Sequence, residues 1–159
     1  MLDTLIRPPK FDPVSGKSKK IAALIESCNG GDWDAHYLGF FECFNRQLFF
    51  EAHDVLEELW LADRDGPNYS FHKGLIQLAG SFVHLQKDRL RPAVALFDLA
   101  AANLTKYSDQ HEGINVTELH GLIAAWRAAV VAGGFRTNPL TGKTPPTLNP
   151  PSRGREIPR

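Results

Sequence analysis

His53, Glu57 and Trp60 stand at i, i+4 and i+7 within Phe49–Trp60, so one helical stripe presents an imidazole, a carboxylate and an indole together. Gln77, Ser81 and His84 repeat that spacing inside the apolar run Gly74–Leu85. If the two stripes face each other, a small protein carries a polar site at the centre of its core. His53 and Glu57 can reach one ion from a single helix, with His84 as a third ligand from the next. Two histidines and one carboxylate with open positions suit zinc or iron. Glu51 or Gln77 can then fix a histidine tautomer from behind. A Glu57–His53 pair sharing a proton also forms a general acid–base unit.

The same residues read more readily as a closed network. A buried histidine donates one ring proton to a carboxylate and accepts from an amide, locking two helices in register. An unpaired partner there costs about 1–3 kcal/mol, enough to keep the network together without a ligand. The binding-site candidates are therefore Glu51, His53, Glu57, Trp60, Gln77 and His84, with His53, Glu57 and His84 as the metal subset. No catalytic residue is assigned. Ser81 sits mid-helix, Ser70 has no elbow motif, and neither H-E-x-x-H nor a doubled Glu-x-x-His is present. His72-Lys73 is a weak anion signal at a helix start, and His36, His111 and His120 fall near helix starts, loops or polar faces.

The elements that must position these groups read as helical throughout, with no alternating strand. Helices are expected at about 18–28, from Asp32 or Asp34 to Arg46, over Phe49–Ala62, at 69–87, and from Pro92 to Tyr107, with a last one capped by Asn115 or Thr117 and ended by Gly133-Gly134. His111-Glu112-Gly113 reads as a turn. Phe40, Phe41, Phe44, Phe49, Phe50 and Phe71 read as core. A faint repeat at an offset of 41 matches Phe41 with Phe82, Phe44 with Leu85, Phe49 with Leu90, Ala52 with Ala93, Val55 with Leu96 and Leu56 with Phe97. Such a repeat suggests helical hairpins of tetratricopeptide-like packing. The expected fold is all-α: a compact domain of five to six antiparallel helices over 18–133. It lies between an extended arm (1–17) and a Pro/Gly-rich basic tail (134–159) that either drapes over the body or stays disordered.

The 159 residues are 43% hydrophobic, an ordinary share for one soluble domain, and carry 18 basic against 18 acidic side chains. The excess of base lies in the two ends and the excess of acid in the body, which argues against the body gripping a nucleic-acid backbone. The first residues meet prolines at once and form no leader, no apolar run approaches a membrane span, and Cys28 and Cys43 lack metal spacing. A cytoplasmic location is the expectation.

Phe49-Phe50-Glu51-Ala52-His53-Asp54-Val55-Leu56-Glu57-Glu58-Leu59-Trp60, followed by Lys73–Ala79 and His84-Leu85-Gln86, resembles domain-of-unknown-function family 309, a set of small all-helical proteins. The likeness covers roughly 40–107. The family usually has Glu where this chain has Asp54, and a Gly-Asn-type turn where it has Asp88-Arg89. The resemblance implies a compact helical fold and supplies no activity. Two function classes follow: a non-catalytic helical domain that associates with itself or with a protein or peptide partner, and a metal-binding protein or metal-dependent hydrolase or oxidoreductase using His53, Glu57 and His84.

Overall fold

The structure is a computed structural model that describes residues 16–151. Among these, six α-helices follow in order: α1 (Gly16–Leu24), α2 (Ala35–Asn45), α3 (Phe49–Ala62), α4 (Tyr69–Gln86), α5 (Leu90–Leu104) and α6 (Val116–Ala132). The fold is all-α. The expected first helix is shorter and ends in a separate 3-10 turn at Glu26–Cys28. Asp34 caps α2 by accepting from the His36 amide at 2.7 Å, and Asn115 caps α6 by accepting from that of Glu118 at 3.0 Å. Pro92 falls at the third position of α5 instead of the first, where its missing N–H is still one of the unbonded amides of a first turn.

One feature departs from the strand-free reading. Gln110–His111 (β1) and Ile114–Asn115 (β2) pair antiparallel across Glu112 and Gly113, whose φ values of 48° and 74° make the tight turn that matches strand twist. Two residues a side are too few to show alternation. The expected arm, except Gly16 and Lys17 which open α1, lies outside the described residues, as do the last eight of the tail. The described part of the tail packs on the body. Asn45 donates to the Leu148 carbonyl (2.8 Å) and accepts from its amide (2.7 Å), and the Leu148 side chain is buried.

Each of α2–α5 packs chiefly on its neighbours in sequence, giving two hairpins, α2–α3 and α4–α5, with α6 beside α5. Both hairpins turn in the same way. Arg46, Gln47 and Leu48 donate to the carbonyls of Cys43, Phe44 and Cys43, and, 41 residues on, Lys87, Asp88 and Arg89 donate to those of His84, Leu85 and His84. Gln47 and Asp88 both sit in the left-handed region, with φ of 65° and 58°. The pairs of the faint sequence repeat are buried on both sides, apart from half-buried Leu96. Gly39 and Gly80 are equivalent too. A methyl at Gly39 would lie 3.2 Å from Val55 Cγ1 and would collide with Ile25 Cγ2, whereas one at Gly80 would meet Leu96 Cδ1 at 3.0 Å. The period continues into α6, where Leu119, Ile123 and Trp126 are buried at the positions of Leu78, Phe82 and Leu85.

The core is aromatic. Phe82 is its hub, with ring centroids of Phe44, Phe49, Phe97 and Trp126 at 5.6, 5.1, 5.4 and 5.1 Å. It joins both hairpins to α6 and fixes the spacing of α3 and α4, the helices that carry the candidate residues.

Candidate functional site

Three of the six candidates line one groove. His53 from α3 and Gln77 and His84 from α4 share it with Phe50, Ile76, Gly80, Val83 and, from α5, Leu96; its volume is about 200 Å³. The walls are apolar. Gly80 opens the floor, and Phe50, 54% exposed, lies parallel to the His53 ring at 6.4 Å. No Lys or Arg is among the lining residues.

Hydrogen bonds behind the groove set the polarity of what faces it. The Lys17 ammonium lies 3.7 Å from Asp54 Oδ1 and 3.2 Å from Glu57 Oε1, which places a cation beside both carboxylates. His53 Nδ1 lies 3.1 Å from the same Asp54 oxygen. A carboxylate oxygen accepts, so the contact places a proton on Nδ1, the tautomer that leaves Nε2 as the acceptor nitrogen of the ring. On the other wall the Lys106 ammonium donates to Asn103 Oδ1 (3.3 Å), and Asn103 Nδ2 donates to Gln77 Oε1 (2.8 Å). Gln77 is left with its N–H pair as donor. His84 buries Nδ1 with no hydrogen-bond partner, and burial, helped by Arg89 and Lys87, lowers its pKa below the ordinary imidazole value.

The other three candidates lie elsewhere. Glu57 belongs to the Lys17 cluster. Glu51 faces α1 beside Lys17, Lys20 and Asp54, around a hollow of only about 30 Å³. Trp60 lies against the tilted ring of Tyr69 at 5.2 Å and buries its Nε1 unpaired. The stripe from His53 to Trp60 runs about 10 Å along the helix, and Trp60 is not among the residues lining the groove. Among the described residues, the group of three or more metal-type donors that converges is His53, Asp54 and Glu57, whose donor atoms lie within 4.8 Å of one another; His84 is not part of it.

Two features lie beyond the sequence candidates. His72 is buried, at 6% exposure, between the rings of Tyr37 and Phe71, and its Nδ1 has no partner. Burial lowers its pKa against the opposing pull of Glu112, Asp63 and Asp34. Nothing in the His72-Lys73 pair signals this, because burial of a first-turn residue depends on what the β1–β2 hairpin brings over it. A second cavity of about 340 Å³ lies between that hairpin, α6 and residues 147–150, where Asn149 reaches Glu118 at 3.3 Å. Cys43 is core: burial pushes its thiol up to about 11, which keeps it protonated and inert.

The match to a described family falls on this architecture. The model of a domain of unknown function, DUF309, covers residues 37–96, from the first turn of α2 to the middle of α5. Residues 37–96 match the DUF309 model. All eight residues of the groove lie inside this DUF309 stretch. Asn103 and Lys106, and the Lys17 beside Asp54, lie outside it. No curated protein and no solved structure matches the chain. No helix among the described residues is long and apolar enough to cross a membrane.

Proposed function

We propose that this DUF309 protein is a non-catalytic binding domain whose ligand site is the groove between α3, α4 and α5. One observation carries this reading: side chains with unspent hydrogen-bonding capacity, the Gln77 N–H pair and the His53 and His84 rings, line an otherwise apolar groove. Ligand sites characteristically combine apolar walls with a few placed polar groups. Cyclohexanol, titrated against ¹⁵N-labelled protein, is expected to shift the amides of Ile76, Gly80, Val83 and Leu96. Val83→Trp, which fills the groove from α4, is expected to remove those shifts. Shifts scattered over the surface, or none, would sink the proposal.

A second reading rests on the convergence of His53, Asp54 and Glu57. One imidazole and two carboxylates form a donor set that suits zinc or iron. The Lys17 ammonium competes for the same two carboxylates. Elemental analysis of protein purified without tag or chelator tests it. One zinc or iron per chain, lost in His53→Gln, supports a metal centre, and metal-free protein that takes up neither ion removes it.

A further inference from the structure

The two hairpins give this groove an internal precedent. Over the first, the floor glycine Gly39 and its aliphatic neighbour Val55 are covered by the side chain of Ile25, from the turn that follows α1. Over the second, the equivalent pair is Gly80 and Leu96, and among the described residues only Leu96 comes within 4 Å of a methyl placed at Gly80. Among the described residues the same floor is built twice and covered once. What covers it in the first case is one branched aliphatic side chain carried on a polypeptide backbone.

The polar rim of the second floor specifies the rest. Two polar chains run to it, each anchored by a lysine: Lys17, ion-paired with Asp54 at 3.7 Å, to Asp54 to His53, and Lys106 through hydrogen bonds to Asn103 and on to Gln77. The first ends in an acceptor, His53 Nε2, and the second in a donor, the Gln77 N–H pair. An amide presents the complement of both, a C=O for Gln77 and an N–H for His53. A carboxylate lacks the N–H, would face the His53 lone pair, and would find no Lys or Arg among the lining residues.

We infer that the groove receives an aliphatic residue of a partner polypeptide, its side chain over Gly80 and its backbone amide between Gln77 and His53, which rests on the groove being a ligand site at all. The test is an amide-shift titration with four probes: isovaleramide, its isosteric ketone 4-methylpentan-2-one, isovalerate, and N-acetyl-isoleucine N-methylamide as a blocked residue. Isovaleramide is expected to bind about 3–10-fold tighter than the ketone or the carboxylate, the net worth of one hydrogen bond. The blocked isoleucine is expected to bind at least as tightly as isovaleramide. His53→Phe should erase the preference of amide over ketone, and Gln77→Leu should weaken both alike. Ketone equal to amide, or carboxylate tighter than either, overturns the amide recognition while leaving the groove a ligand site. Exclusion of the blocked isoleucine by a groove that takes isovaleramide overturns the polypeptide partner in favour of a small molecule. Failure of all four probes to shift the groove, with cyclohexanol also silent, removes the binding reading itself.

Discussion

The hairpins α2–α3 and α4–α5 share a turn, a core pattern and a floor glycine, yet only the first is finished from within the described chain. Ile25 covers Gly39, and His36 Nε2 meets Glu58 Oε1 at 3.0 Å along the same edge. In the second, Gln77 replaces His36, Leu99 replaces Glu58 and stands 49% exposed, and the floor at Gly80 is open. The backbone geometry is therefore indifferent to what lies above it. Covering is decided by side chains and by the element that arrives from outside the hairpin, and a repeat left uncovered is where binding can be placed without disturbing the core.

The largest effect that separates the two hairpins is expected at the aromatic position they share. Phe82→Ala should cost about 3–5 kcal/mol in urea unfolding, and Phe41→Ala clearly less, because Phe82 packs rings from α2, α3, α5 and α6 whereas Phe41 meets Tyr37 and Phe40 on its own helix. Equal losses would mean that the hub does not tie the hairpins together. Next come the glycines. Gly39→Ala drives a methyl into Ile25 and should destabilise by about 1–3 kcal/mol. Gly80→Ala meets only the tip of Leu96, and its helix-propensity gain of up to about 1 kcal/mol should bring it near zero. The same loss at both sites would show that the second floor is not open.

His72, which stands where the first hairpin has Gly31, gives the second hairpin an acid sensitivity of its own. Its folded pKa is lowered, so between that value and about 6.5 the unfolded chain binds more protons than the folded one. Stability is then full above about pH 6.5 and falls with pH below it, by at most about 1.4 kcal/mol per pH unit from this one group. Denaturation curves at pH 8 and pH 5 should show the loss, and His72→Phe should reduce it; an unchanged slope would mean that His72 charges without cost. The smallest effect is in the turns. Gln47→Gly relieves left-handed backbone and should stabilise by up to about 1 kcal/mol. Asp88→Gly should gain less, since Asp88 tolerates that region better and accepts from Asn138 at 3.2 Å. A larger gain at Asp88 would reverse the ranking.

The helices were legible because each is long, strongly patterned and punctuated. Asp34, Asn115, Gly133 and the Gln47-Leu48 break all mark boundaries within a few residues of the observed ones. The groove was half legible. His53, Gln77 and His84 could be picked out by spacing, but Glu57 and Trp60 belong to the same stripe and to different surroundings, and periodicity does not say how wide a neighbour is. Asp54, adjacent to His53 in sequence, points away in a stripe reading, so its hydrogen bond to Nδ1 was invisible. Lys17, Asn103 and Lys106 set the polarity of the site from elements far along the chain. Gly39 and Gly80 look like two glycines among 13 until the hairpins are superposed in sequence by the turn geometry.

The clasp between Asn45 and Leu148 has a consequence in time. Its two halves are 103 residues apart. At synthesis rates of about 5–20 residues per second, Leu148 is made some 5–20 seconds after Asn45. α3 to α6 are translated in that interval, before Asn45 can bond Leu148. The strap is the last piece of the described body to arrive, and until it does the nascent domain carries its aromatic core with the seat of Leu148 uncovered.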